Sequence, residues 1–197
     1  MICHLFLFYL VCGNLFNASS VNTTLVYDIV INDKVVGSLE ATRKQKDRLI
    51  WYRSATVINT KIIRNIEVQY NYDVHFEDER LQSSQVAIYI NTKSHANTKT
   101  RYIDDAYEIT KNGKLEATIT DAITYPSVLM YFKEPINITK CFSEQNGNFN
   151  TIESLENHSY KKTNAKGNEN IYYYKNGVLE SAEIDGGLIN FRIIATK

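Results

Sequence analysis

From about residue 24 onward, apolar and polar residues alternate with a period of two. Tyr27, Ile29 and Ile31 lie on one side of such a pattern, with Val26, Asp28 and Val30 on the other. After Asn32-Asp33 the same period returns through Val35, Gly37, Leu39 and Ala41. A period of two is the mark of a half-buried strand, and a short Asn/Asp break between two such runs predicts a hairpin. Gln45-Lys46-Asp47 predicts the next turn, and Leu49 to Ile58 a third strand that carries Trp51. The longest alternation runs from Ile66 to Phe76, with Ile66, Val68, Tyr70, Tyr72, Val74 and Phe76 on one face. Glu67, Gln69, Asn71, Asp73 and His75 take the other, so one face meets a core and the other meets water. Glu77-Asp78-Glu79-Arg80 turns the chain, and Val86 to Ile90 returns it.

Two later segments centre on Lys-Asn-Gly, at Lys111-Asn112-Gly113 and Lys175-Asn176-Gly177. Asn-Gly suits a type I′ turn, in which both central residues need positive φ. Asp185-Gly186-Gly187 predicts a further turn before an alternating run from Leu188 to Ala195. The polar stretches Asn91 to Thr98 and Lys161 to Asn170 read as solvated loops.

One segment leaves the pattern. Between Asp121 and Phe132, Val128, Leu129 and Phe132 would share a helical face, Pro126 is tolerated in a first turn, and Pro135 stops the run. The fold expected is therefore mainly β. It is a single curved antiparallel sheet, or an open β-barrel, of about ten strands with one short helix on its concave side.

Residues 1–20 differ from the rest in having no Lys, Arg, Asp or Glu. The run from Ile2 to Cys12 has the length of a signal-peptide apolar region and is too short to span a bilayer. Ala18-Ser19-Ser20 offers a small-residue cleavage site. The reading is a signal peptide over 1–20 and a single β-meander domain over 21–197. The protein would be exported to the periplasm or the extracellular space, with no stable membrane span after cleavage. A lipid anchor at Cys12 and an uncleaved segment are the alternatives. Cys3 and Cys12 would leave with the leader, and Cys141 would remain as a small buried hydrophobe on a strand.

Composition narrows the function further. Lys plus Arg and Asp plus Glu number 22 each, so no net field attracts nucleic acid. The four His and three Cys show no paired metal-ligand spacing. Neither a nucleophile elbow nor a phosphate loop occurs. No catalytic residue, metal or cofactor is assigned, and a hydrolase is the least supported reading.

At Tyr27-Asp28-Ile29-Val30-Ile31-Asn32-Asp33-Lys34-Val35-Val36-Gly37-Ser38-Leu39 the sequence resembles an exported bacterial family, domain of unknown function 6134. The resemblance extends through Thr56, Ile66 to Phe76, and Tyr174-Lys175-Asn176-Gly177-Val178-Leu179. The short helix after Asp121 also resembles the lipoprotein-carrier (Lol) open barrels, where a helix lies against one curved sheet. Those motifs are structural, and no functional residue carries over from them; lipid binding enters by analogy to the carriers. A half-barrel lined by Tyr, Phe and Ile would hold a lipid or another apolar ligand, in a non-enzymatic binding or scaffold protein. Trp51, Tyr70, Tyr72, Leu129, Tyr131 and Phe132 are the side chains such a site would use. The alternative is a structural or protein-interaction module with a filled core. Oligomeric state is not legible.

Overall fold

The computed structural model describes residues 20–60, 66–185 and 190–196. Apart from Ser20, the expected leader lies outside the described residues, and so do Gly186, Gly187 and Leu188. Among the described residues, fourteen strands form one antiparallel sheet. The first eight are β1 (Val21–Ile31), β2 (Lys34–Lys46), β3 (Leu49–Thr60), β4 (Ile66–Glu77), β5 (Arg80–Ile90), β6 (Lys93–Ile103), β7 (Ala106–Lys111) and β8 (Lys114–Ile119). The remaining six are β9 (Lys140–Ser143), β10 (Asn148–Ser154), β11 (Ser159–Thr163), β12 (Glu169–Lys175), β13 (Val178–Asp185) and β14 (Asn190–Ala195).

The strand order is β8-β7-β6-β5-β4-β3-β2-β1-β14-β13-β12-β11-β10-β9. The chain thus starts in the middle of the sheet, meanders to one edge, crosses to the other edge and meanders back. β1 and β14 close the seam, with Tyr27 opposite Ala195 and Ile29 opposite Ile193.

The hairpins are tight because their corners accept positive φ. Asn112 and Gly113 have φ of 49° and 82°, and Asn176 and Gly177 have 53° and 78°. Asn32-Asp33, Asp78-Glu79, Asn91-Thr92 and Asp104-Asp105 also place both central residues at positive φ. Turns of this hand match the right-handed twist of the strands they join.

Fourteen strands replace the expected ten, mainly because two polar stretches are not loops. β6 takes most of the expected loop Asn91 to Thr98. Its inward positions are Thr98 and Thr100, buried hydroxyl residues that leave no apolar period to read. Threonine is β-branched and suits a strand without being hydrophobic. In the second stretch only residues 164–168 form a loop, because β11 runs to Thr163 and β12 begins at Glu169. Asn164 Oδ1 accepts from Lys166 N at 2.8 Å and Asn168 N at 3.0 Å, which fixes that loop internally.

The expected helix is a single 3-10 turn, Ser127–Tyr131. An amphipathic helix needs a polar face toward water, and this segment has none. Ile123, Tyr125, Val128, Leu129 and Met130 are all buried. The segment between β8 and β9 runs through the inside of the curled sheet, where strand side chains satisfy its backbone. Tyr174 Oη donates to the Met130 carbonyl at 2.8 Å, and Tyr27 Oη donates to the Tyr131 carbonyl at 3.3 Å. Tyr125 Oη donates to the Lys133 carbonyl. The concave location holds, and the core gathers around it from Tyr27, Leu39, Tyr52, Tyr174 and Leu179. No helix among the described residues is long and apolar enough to cross a membrane.

Candidate functional site

The turn from β9 to β10 folds back over the concave face. Thr98 Oγ1 donates to the Gln145 carbonyl at 2.9 Å, and Tyr72 Oη donates to Gln145 Oε1 at 3.2 Å. Gly147 lies so close to β7 that a Cβ there would sit 2.4 Å from Ile109 Cγ2. Between this turn, the interior segment and the sheet remains a cavity of about 550 Å³. Pockets of that size are typical of small-molecule sites.

Its two walls differ in chemistry. One is formed by Tyr70 and Tyr72 of β4, Tyr131 of the interior turn, Ile184 of β13 and Phe191 of β14. The inward register of β4 explains the tyrosines, since the alternation that buries Val74 and Phe76 also aims Tyr70 and Tyr72 inside. The rest of the lining is largely polar, with Asn148 and Asn150 from β10, Lys162 from β11, and Asn164 and Asn168 from the following loop. Lys111 and Lys166 add two more ammonium groups to the lining.

Electrostatics sharpens the contrast. Burial raises the pKa of the Tyr70, Tyr72 and Tyr131 phenols, so they remain neutral donors. Lys162 Nζ sits 5.3 Å from the Tyr172 ring centroid, a cation–π contact. Burial works against the Lys162 charge, but Tyr172, Cys141 and Glu144 outweigh it and lift the ammonium pKa to about 12. Among the described residues, Lys111, Lys162 and Lys166 have no carboxylate within 4.0 Å. The acids nearby are already engaged. Asp185 Oδ2 accepts from Asn168 Nδ2 at 2.7 Å. Glu144, fully buried, accepts from the backbone of Ser127 and Val128 at 2.9 Å each, and from the Ser127 hydroxyl. Burial raises the Glu144 pKa.

Of the six side chains singled out from sequence, the cavity brings together Tyr70, Tyr72 and Tyr131. Leu129 and Phe132 belong to the packed core beside it, with the Phe132 ring 5.4 Å from that of Tyr52. Trp51 lies on the outer face. Tyr52, Ser54 and Thr56 take the inward positions of β3, which turns Trp51 out to an edge contact with His75 at 6.4 Å. Large apolar size pointed inward, but strand parity decides. Sequence reasoning does not reach the polar lining, because asparagines on a strand or in a loop carry no apolar periodicity. The one usable signal was their density from Asn146 to Asn170.

His75 faces outward as expected, its Nε2 2.5 Å from Asp73 Oδ1. Cys141 is buried on β9. His158 Nδ1 and Tyr160 Oη meet Glu134 Oε1 at 2.9 and 2.7 Å, away from the cavity. Among the described residues no group of three His, Cys, Asp or Glu could hold a metal ion.

Fold and cavity together define a barrel-like, antiparallel β-protein with an amphipathic internal pocket. The chain matches the family described as Domain of unknown function (DUF6134) over residues 27–196, and it belongs to that family. Among solved structures it is similar to a beta-barrel-like protein of domain of unknown function DUF1849 from Brucella abortus. The TM-score is 0.53 at 9% identity, covering 88% of this chain and 95% of that one. This likeness concerns the fold alone. A search of curated proteins gives no match.

Proposed function

We propose that the protein is an exported, non-enzymatic binding protein of the cell envelope that holds a small ligand inside its curled sheet. The observation that carries this reading is the cavity. The rest of the interior is filled by side chains such as Tyr27, Leu81 and Ile109, yet about 550 Å³ stays open with a lining of aromatic rings and amides. Natural interiors are packed to crystal-like density, so an open space lined by polar groups suits a ligand better than a core. Among the described residues, His75, His95 and His158 lie outside the lining. Its hydroxyls and amides are binding groups, not an assembled acid–base set.

The test is native mass spectrometry of the protein purified from its own envelope fraction. A co-purifying small molecule, lost on denaturation, supports the reading. A clean apo mass, together with no thermal shift across a panel of lipids and small amphiphiles, overturns it. A structural or interaction module is the second reading, favoured by the edge strand β8 with Leu115 61% exposed.

A further inference from the structure

The lining of the cavity says which kind of molecule fits. Its exposed charges are lopsided. Three ammonium groups, on Lys111, Lys162 and Lys166, face one carboxylate, Asp185, which already takes a hydrogen bond from Asn168. Lys162 is the inner one, held against the Tyr172 ring. The neighbouring strand β10 carries two amide oxygens with no hydrogen-bond partner among the described residues. Asn148 Oδ1 and Asn150 Oδ1 are buried without a hydrogen-bond partner, and Asn150 is only 4% exposed. A buried amide oxygen without a partner costs about 1–3 kcal/mol, so a bound group or water that meets it is stabilising. In the same cavity, Tyr70, Tyr72, Tyr131, Ile184 and Phe191 offer an apolar and aromatic surface.

Resting on the binding reading above, we propose that the ligand is an amphiphilic organic anion. Its charged head lies on Lys162 and the Asn148 and Asn150 amides, and its apolar body lies along the tyrosine wall. A cation would meet three ammonium groups. A purely apolar molecule would strand both amides and Lys162 against hydrocarbon, which is the more expensive outcome. An anionic head accepts from the ammonium directly and from the amide NH₂ groups once each Asn turns its nitrogen end toward the ligand, since an Asn side chain can present either end.

The experiment is isothermal titration calorimetry of the mature protein with three probes of equal chain length: dodecanoate, dodecanol and dodecylammonium. Dodecanoate is expected to bind at least about tenfold more tightly than dodecanol, and dodecylammonium weakest of the three, with the dodecanoate advantage shrinking as salt is raised. Lys162→Met keeps the aliphatic stem and is expected to remove the dodecanoate preference while dodecanol binding persists. Asn150→Leu separates binding from folding. It is expected to raise the melting temperature, because an unpartnered amide disappears, and to weaken dodecanoate several-fold. Equal affinity for all three probes would overturn the anion assignment and leave the cavity reading standing. Absence of binding by any probe would overturn both. An Asn150→Leu protein that melts lower and binds dodecanoate unchanged would remove the amides from the site.

Discussion

Glu144, on the turn after β9, holds the first turn of the interior segment through the backbone N–H of Val128. That bond to Oε1 measures 2.9 Å, and the Ser127 N–H reaches Oε2 at the same distance. The 3-10 turn has no capping side chain of its own. A carboxylate 16 residues away supplies the missing acceptors, in a place with no access for water. This contact ties the crossing segment to the sheet edge, and the tyrosine wall rests on it through Tyr131.

Replacing Glu144 with Gln should therefore be costly. The amide can accept one N–H through its oxygen, but its NH₂ then faces the other donor. A loss of about 2–3 kcal/mol is expected from the orphaned buried group. Urea unfolding should show a lower midpoint at an unchanged slope. A change below about 0.5 kcal/mol, the range of surface substitutions, would show that the carboxylate does not anchor the segment.

Two buried acids should respond to pH in opposite directions. At Glu134 burial works to raise the pKa, but the hydrogen bonds from Tyr160 and His158, with the His158 charge, hold it below the ordinary 4.5. Its stabilising share is present above 4.5 and is lost as pH falls through the depressed value. Glu144 is raised by burial, so its share is full below 4.5 and lost as pH rises through the elevated value. Tyr160→Phe removes one donor to Glu134. It should cost about 1.5–3 kcal/mol at neutral pH and markedly less once Glu134 is protonated. Equal losses across an acid titration of stability would count against an ionised Glu134.

Much of this fold was open to reading in the residues, and the failures have a common cause. The hairpins at Asn32-Asp33, Asn112-Gly113 and Asn176-Gly177 could be read because turn chemistry is local. The Ile66 to Phe76 strand could be read because one face meets apolar core. β6 was lost because its buried face is Thr98 and Thr100, where tertiary contacts substitute for hydrophobicity. The pairing of β1 with β14 joins residues far apart in the chain, and no local pattern encodes it. Tyr70, Tyr72 and Tyr131 emerged from periodicity and size. Lys162 and Asn150 did not, because their meaning comes from what surrounds them in space. Trp51 is the converse case: its size favours the interior, and its parity on β3 puts it outside.

Cys141 offers a direct probe of opening. It is buried, and desolvation raises its thiol pKa from 9.0 to about 12. Little thiolate forms at neutral pH, and reagents cannot reach it. A disulfide-exchange reagent should leave Cys141 unlabelled in the native protein and react with it at once in denaturant. Labelling in native buffer should be slow and limited by opening of the β9 edge, with a rate that saturates as reagent increases. Immediate stoichiometric labelling of the folded protein would place Cys141 at the surface.

Gly37 provides the sharpest test of the sheet. A Cβ on it would lie 2.0 Å from the Val57 carbonyl oxygen and 2.9 Å from Ile58 Cα, both backbone atoms that cannot swing aside. The register explains the crowding. Ile29 pairs with Gly37 and Val30 with Val35, so Val36 is an extra residue that bulges β2 against β1. On its other side Gly37 faces Ile58 across β3. A glycine here allows close backbone approach at a bulge. Gly37→Ala should force β2 and β3 apart and cost about 1–3 kcal/mol, in the range of overpacked sites. Gly113→Ala is the control. Its turn has φ of +82° but open space around the Cβ, so only backbone strain of about 1 kcal/mol applies. Chemical denaturation of both variants should rank Gly37→Ala as the more damaging. The reverse order would mean that β2 and β3 do not approach as closely as this register requires.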